Sequence, residues 1–171
     1  MKLLLNLLLL TGTILCAHSL SAQTDKLLET VPKTKEEFTA SEPLVINTIN
    51  WLEDTPLDQE PDKRQEQSSL LIGWISGSPQ VTVKLEEKMM PFMKKGNEQL
   101  MLIFMGGWTK YCLQNNYSRD DVQCNLAALH STIKVYKKGV GLKKNKEMEK
   151  LIALDDKGQL EQWVKDNLKK G

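Results

Sequence analysis

The longest apolar segment beyond the first twenty residues of the chain covers residues 100–112. Apolar side chains recur there at every fourth position, at Leu100, Phe104, Trp108 and Cys112. Other apolar side chains cover the flanks of this stripe, and a helix that is apolar on almost every side is typically enclosed by other elements. We therefore predict a central helix over 98–113. About 20 apolar residues are needed to cross a bilayer, so this segment is too short to span one.

Two adjacent glycines, Gly106 and Gly107, lie inside this predicted helix. Each glycine lowers helix stability by about 1 kcal/mol relative to alanine, so their presence calls for a compensating reason. A neighbouring helix that crosses close to the bare backbone would provide one. The sequence thus predicts that at least one of the two glycines lies at a close helix crossing.

Two helices are predicted on the N-terminal side of the central helix. Ser41 and Pro43 are typical of a helix start, and the apolar positions that follow continue until shortly before Pro56. A second helix is expected to begin near Pro61 and to end at Gly77, where a Gly-Ser-Pro sequence interrupts it.

Three more helices are predicted on the C-terminal side. The first is long, with Ser118 as its expected cap and Gly139 as its stop. Its apolar residues form one stripe, at Val122, Leu126, Leu129, Ile133 and Tyr136. Two shorter helices, one around Leu151 and one around Trp163, follow it and are separated by a turn at 155–158.

The segment 80–95 fits two patterns. Val81, Val83 and Leu85 alternate as in a strand, whereas Val81, Leu85 and Met89 also share one helical face. We expect a helix, interrupted near Pro91, because no other segment offers a partner strand and an unpaired strand is not stable. The fold class is then all-α: a compact bundle of five to six helices around the central one, forming a single domain over 41–171 behind a flexible leader at 23–40.

The first 22 residues have the pattern of a secretory signal. Lys2 precedes a short leucine-rich run, and Ala22 supplies the small residue expected before a cleavage site, so we predict cleavage between Ala22 and Gln23. Cys16 would be the alternative processing site in a lipoprotein, but Leu15 stands where a lipobox normally has a small residue. The mature protein is expected to be exported, periplasmic or secreted, with no transmembrane helix.

The charge of the chain is small overall but uneven along the sequence. The formal net charge is +1, which gives no electrostatic reason to expect nucleic acid binding. Acidic residues dominate the first half, at Glu36, Glu37, Glu42, Glu53, Asp54, Asp58, Glu60 and Asp62. Lysines dominate the end, including Lys134, Lys137, Lys138, Lys143, Lys144, Lys146, Lys150, Lys157, Lys165, Lys169 and Lys170. One interpretation is that the two halves attract each other or are simply solvated. The other is that the lysines form a surface for an acidic partner.

Cys112 and Cys124 are the only cysteines of the expected mature chain, and two cysteines in an exported protein are usually joined. We predict a disulfide between them. One objection is that Cys124 lies nearly opposite the stripe that begins at Val122, and two buried thiols are the alternative. His130 lies at the edge of the same stripe, six residues from Cys124, and is expected to project to another face, so the two do not suggest a nucleophile and base.

Other chemical patterns have simpler explanations. A single histidine in the mature chain does not suggest a zinc site, and adjacent acids on a helix point apart rather than form a glycosidase pair. Gly139 and Gly141 lack the strand and third glycine of a dinucleotide loop. Met89, Met90 and Met93 are expected to fill the core, although methionines also line adaptable binding surfaces. No catalytic residue, cofactor or metal site is predicted.

These patterns favour a non-enzymatic binding protein that acts on a protein or other partner in the periplasm. Its polar residues are explained by caps, turns and solvated faces, without any group reserved for catalysis. The alternatives are an enzyme with an unrecognised active site and a structural or assembly factor of the cell envelope.

Overall fold

A computed structural model describes residues 26–93 and 96–169 of the chain. Within these ranges the protein is all-α, with six α-helices and no strand. The helices are α1 (Lys35–Asp54), α2 (Pro61–Gly77), α3 (Leu100–Gln114), α4 (Asp121–Lys138), α5 (Lys146–Asp156) and α6 (Leu160–Leu168). None of them is long and apolar enough to cross a membrane.

Helix α3 is the predicted central helix, and its residue positions agree with the prediction. The side chains of Leu100, Phe104, Trp108 and Cys112 are all buried. Helix α3 packs most extensively against α4 and also contacts α1 and α2. The all-α bundle around an apolar helix is thereby confirmed.

The paired glycines of α3 lie where other helices approach its backbone. A Cβ atom on Gly107 would stand 2.5 Å from the Ser131 Oγ and 2.9 Å from the Ala128 Cα of α4. A Cβ atom on Gly106 would stand 3.2 Å from the Ile49 Cγ2 of α1. The predicted close crossing is therefore confirmed, and the tighter contact is the one between Gly107 and the backbone of α4.

Helix α1 begins earlier than predicted, at Lys35 rather than at Ser41. Thr34 is its N-cap: the Thr34 hydroxyl accepts from the backbone N–H of Glu37, and the Glu37 carboxylate accepts from the backbone N–H of Thr34, which completes a capping box. Pro43, expected in the first turn, lies inside the helix. Residues 35–40, assigned by the sequence to the flexible leader, are therefore helical.

An earlier part of the same leader packs onto the core. Leu28 is buried, its backbone N–H donates to the Thr48 hydroxyl at 2.9 Å, and its backbone oxygen accepts from the Gln67 amide at 3.2 Å. These bonds attach residue 28 to both α1 and α2.

The predicted helix over 80–95 is wrong for the residues that the structure describes. Residues 81–86 have no regular structure, and two short 3₁₀ turns follow, at Glu87–Met89 and Pro91–Met93. Two features of the sequence explain this: β-branched residues at 81–83 have low helix propensity, and Pro91 lacks the backbone donor that a helix interior needs. Met89 and Phe92 are nevertheless fully buried, so the segment packs on the core without forming a longer helix.

The start and buried face of α4 also differ from the prediction. Asp120, not Ser118, caps the helix by accepting from the backbone N–H groups of Val122 and Gln123 at 2.9 and 3.1 Å. The predicted stop is confirmed, since Gly139 ends α4 with a φ of 72°. The buried face is formed largely by small and polar residues together with several larger apolar ones: Cys124, Asn125, Ala128, Leu129, Ser131, Thr132, Ile133, Val135 and Tyr136.

A buried carboxylate ties three helices together. Glu53, only 2% exposed at the end of α1, accepts from the Lys110 ammonium of α3 at 2.6 Å and from the Ser131 hydroxyl of α4 at 2.8 Å. Its second oxygen accepts from Lys134 of α4 at 3.1 Å. Lys138 donates to the backbone oxygens of Glu53 and Asp54 at 2.7 Å each, and so neutralises the negative end of α1. The acidic first half and the basic second half do attract each other here.

The two glycines of α3 are predicted to respond differently to alanine: Gly107→Ala should destabilise the protein, and Gly106→Ala should change its stability little. Gly107→Ala should reduce the free energy of unfolding by about 1–3 kcal/mol, because its Cβ would clash with the backbone of α4. Gly106→Ala is the matched control. The Ile49 side chain can shift to admit the new methyl group, and a gain in helix propensity of about 1 kcal/mol offsets the cost of that shift, so the free energy of unfolding should change little. Urea unfolding measures both, and a Gly107→Ala protein as stable as the wild type would contradict the close crossing.

The pKa of Asp54 predicts a pH dependence of stability. The hydrogen bond from Lys134, together with the nearby charges of Lys134, Lys138 and Lys110, lowers this pKa below its ordinary value of 3.8. Since the folded state binds the proton less tightly, the stabilisation is present above the unfolded pKa and is lost as the pH falls through the lower folded pKa. Asp54 is largely exposed, so Asp54→Asn should cost less than about 1 kcal/mol at neutral pH.

The comparison of Asp54→Asn with the wild type should be made by thermal unfolding across the acid range. The difference in melting temperature should vanish once Asp54 is protonated in both states. Asp58→Asn, at an exposed carboxylate without an ion pair among the described residues, is the control and should show no such pH-dependent difference. A pH-independent effect of Asp54→Asn would show that the ion pair is not its cause.

Candidate binding surfaces and the thiol pair

The two cysteines lie side by side as free thiols, at the end of α3 and in the first turn of α4. The Cys112 and Cys124 sulfur atoms are 3.7 Å apart, whereas a disulfide bond would place them at about 2.0 Å. Both sulfurs approach the Ser118 backbone oxygen, at 3.3 Å from Cys112 and 3.7 Å from Cys124. The structure thus corrects the predicted disulfide to a pair of thiols. The objection based on opposite faces was also wrong, since the α3–α4 crossing turns Cys124 toward α3.

The thiols affect each other's ionisation. The hydrogen bond from Cys124, with a smaller contribution from the nearby Trp108 indole, holds the pKa of Cys112 below its usual range. The same contact with Cys112, together with burial, raises the pKa of Cys124. Cys112 is therefore the more acidic of the two thiols, and no histidine within the described residues forms a hydrogen bond with either sulfur.

A polar pocket of about 290 Å³ lies beside the thiol pair, between the irregular segment after α2 and the start of α4. Seven residues line it: Gln80, Thr82, Lys84, Trp108, Ser118, Arg119 and Asp121. The Lys84 ammonium and the Asp121 carboxylate form an ion pair at 2.6 Å, and this contact raises the pKa of Lys84. Arg119 is exposed and pairs with no acid in the part of the chain that the structure describes.

Trp108 forms the inner wall of the polar pocket. The Trp108 side chain is 2% exposed, and its indole nitrogen is buried without a well-formed hydrogen bond, although it approaches Cys112. Buried indole N–H groups usually have an acceptor. The Trp108 indole N–H is therefore a buried donor at this pocket that lacks a well-formed hydrogen bond.

An apolar groove of about 390 Å³ runs between α5, α6 and Pro91. Its lining combines apolar and charged side chains: Pro91, Glu147, Lys150, Leu151, Ala153, Leu154, Lys157 and Trp163. Leu154 and Trp163 are half-buried and Ala153 is exposed. Lys150 pairs with Glu147 at 3.0 Å, whereas Lys157 has no ion pair among the described residues.

A basic pocket of about 450 Å³ lies on the opposite face of α5. It is lined by Tyr136, Lys137, Gly139, Leu142, Lys143, Lys144, Glu149 and Ile152. Lys137 pairs with Asp156 at 3.1 Å, but Lys143 and Lys144 form no ion pair within the described ranges. Together, the apolar groove and the basic pocket are called the α5 surface below.

The other residues singled out by the sequence have local roles. His130 is exposed, with its Nε2 atom 3.0 Å from the Asp155 carboxylate of α5. Met89 and Met90 are buried in the core, as expected. Among the described residues, no group of three or more histidine, cysteine, aspartate or glutamate side chains could hold a metal ion. Ala22 and Gln23, the expected cleavage site, lie outside the described residues.

The polar pocket was not predicted from the sequence. Its cations, Lys84 and Arg119, and its inner wall, Trp108, come from three separate segments of the chain. No local pattern connects them, and only the position of residues 80–84 beside α4 brings them together. The basic side of the α5 surface, by contrast, lies within the lysine-rich second half of the sequence, which includes three lysines at 143–146.

The thiol pair predicts a simple chemical count. Thiol titration of the unfolded, unreduced mature protein, which is expected to lack Cys16, should find two free thiols per chain. In the native protein both should react slowly with iodoacetamide, because Cys112 is 3% exposed and Cys124 is fully buried. An intact mass lower by two hydrogens, with no titratable thiol, would instead restore the disulfide.

The described side chains offer two kinds of recognition: a small polar pocket at the start of α4, and a larger surface of mixed apolar and basic character around α5. Comparison with protein-family models, with curated proteins and with solved structures found no match to this chain.

Proposed function

We propose that this chain is an exported, non-enzymatic protein that binds a partner protein in the periplasm, and that the α5 surface is where it binds. The observation that carries the proposal is the presence of unpaired lysines beside concave surfaces on both faces of one helix. The partner segment that fits this chemistry has an apolar side chain for the groove and carboxylates for the lysines.

The charge argument rests on which lysines are already neutralised. Lys110, Lys134 and Lys138 bind the carboxylates and backbone oxygens at the end of α1. Lys144 and Lys157 have no such partner among the described residues and lie beside the α5 surface. An exposed group of like charges favours a partner of opposite charge and speeds its association.

The apolar argument rests on the groove. Leu154 and Trp163 remain half-buried, and Ala153, which lines the same groove, is small and exposed. A half-open tryptophan and leucine form the kind of pocket into which a partner inserts an aromatic or aliphatic anchor. Lysines at the rim can then bind the acids that flank such an anchor.

The thiol pair supports binding over catalysis. A reactive cysteine needs access to substrate and an adjacent base. Cys112 and Cys124 are buried, and their thiols contact each other and the Ser118 backbone oxygen. Buried thiols in contact with each other favour a structural role for Cys112 and Cys124 over a catalytic one.

The binding surface can be tested by photocrosslinking in the native envelope. A photoreactive residue at Ala153 should crosslink one partner, and the same residue at Ala40, exposed on α1, should not. The identified partner should carry an acidic segment at the crosslink. Equal crosslinking from both positions, or a partner without such a segment, would contradict the proposal.

Affinity for that partner should depend on both components of the α5 surface. Lys144→Glu with Lys157→Glu should weaken binding at least about tenfold, or 1.4 kcal/mol, because both lysines are exposed and unpaired in the described structure. Ala153→Trp should weaken it by filling the groove. The matched controls are Lys33→Glu with Lys35→Glu, and Ala40→Trp, which change equivalent exposed positions elsewhere. If the controls weaken binding as much, the surface lies elsewhere.

Export has a separate test. The mature protein should begin at Gln23 and appear in the periplasmic or secreted fraction, because Ala22 supplies the small residue of a cleavage site. Intact mass and N-terminal sequencing measure this directly. A mass that retains Cys16 with an attached lipid would identify a lipoprotein instead.

A further inference from the structure

We propose that the polar pocket is a second binding site, which takes a small molecule carrying one carboxylate, with Arg119 and Lys84 as the groups that hold the carboxylate. This site is independent of the proposed partner surface. Asp121 at the polar pocket and Tyr136 at the basic pocket are separated by fifteen positions along α4, which correspond to about 22 Å of helix.

The pocket lining contains several hydrogen-bond donors that have no acid partner among the described residues. Asp121 already accepts from Lys84, and Asp120, which adjoins the pocket, accepts from two backbone N–H groups of α4. The Ser118 hydroxyl oxygen accepts from the Asp120 backbone N–H, which leaves its hydrogen free to donate. Arg119 has no acid partner among the described residues, so its five N–H groups are available. A ligand that satisfies this set must supply acceptors.

The charge of the lining selects a monoanion. Lys84 and Arg119 contribute two positive charges and Asp121 one negative charge, so the lining side chains carry a net charge of +1. A carboxylate neutralises this charge, and its two oxygens match the planar fork of an arginine. A phosphate dianion would exceed this charge by one and leave the lining with a net negative charge.

The size and inner wall of the pocket limit the rest of the ligand. A volume of about 290 Å³ is at the lower end for small-molecule sites, so the ligand is small. Gln80 and Thr82 provide polar contacts for hydroxyl or amide substituents. Trp108, whose buried indole N–H lacks a well-formed hydrogen bond, also lines the site.

The test uses nuclear magnetic resonance of the ¹⁵N-labelled mature chain, because the Trp108 indole N–H gives a separate signal inside the site. Sodium gluconate, which combines one carboxylate with hydroxyls, is the first probe, and sodium lactate is a smaller one. At constant ionic strength, at least one of them should shift the Trp108 signal and the backbone signals of residues 118–123 until the shift saturates. Glucose, inorganic phosphate and chloride should not.

Variants identify the group that holds the carboxylate. Arg119→Gln should weaken probe binding at least tenfold, whereas Arg119→Lys, which keeps the charge but not the fork, should weaken it less. Lys144→Gln removes an equal charge in the basic pocket and is the matched control, which should bind as the wild type does. Circular dichroism should show that all three variants fold, since Arg119 and Lys144 are exposed.

Four results would overturn the inference: no saturable shift with either carboxylate, equal binding of glucose, equal or tighter binding of phosphate, and unchanged binding by Arg119→Gln. None of these results bears on the α5 surface, because Arg119 is not part of it.

Discussion

The close crossing of α3 and α4 is the constraint on which the rest of the molecule depends. Because Gly107 has no side chain, the Ala128 backbone of α4 can lie directly against α3. That approach requires small residues on the facing side of α4, which is why Cys124 and Ser131 are buried there. The same approach places the two thiols in contact and brings Ser131 within reach of Glu53.

Glu53 adds an electrostatic tie to this packing. A buried carboxylate is costly unless charged and polar groups surround it, and here they come from α3 and α4. Lys138 extends the tie by binding the backbone oxygens at the end of α1. The lysines nearest the core are thus occupied by the fold, whereas Lys144 and Lys157, which have no ion pair among the described residues, lie farther along the chain beside α5. Some of the lysines in the basic half of the sequence therefore stabilise the fold, and others remain exposed at the surface.

Helix α4 separates the two candidate binding sites. Its first residues border the polar pocket, and its last turn borders the basic pocket. Since Asp121 and Tyr136 lie about 22 Å apart along α4, a ligand at one end and a partner at the other would contact the same helix without competing for space. The polar pocket offers donors inside a small enclosure, whereas the α5 surface offers an open groove with charges at its rim, so the two fit different classes of ligand.

The sequence by itself determined the helical class, the central helix and a close crossing at one or both of Gly106 and Gly107, because apolar periodicity and the low helix propensity of glycine can be read within a single segment. It also contained the capping box at Thr34, which the more conspicuous Pro43 obscured. Tertiary structure alone decided the buried face of α4 and the polar pocket. Which face of a helix is buried depends on the shape of its neighbour, and a pocket built from three distant segments has no periodicity. Only the packing of the whole chain brings such side chains together.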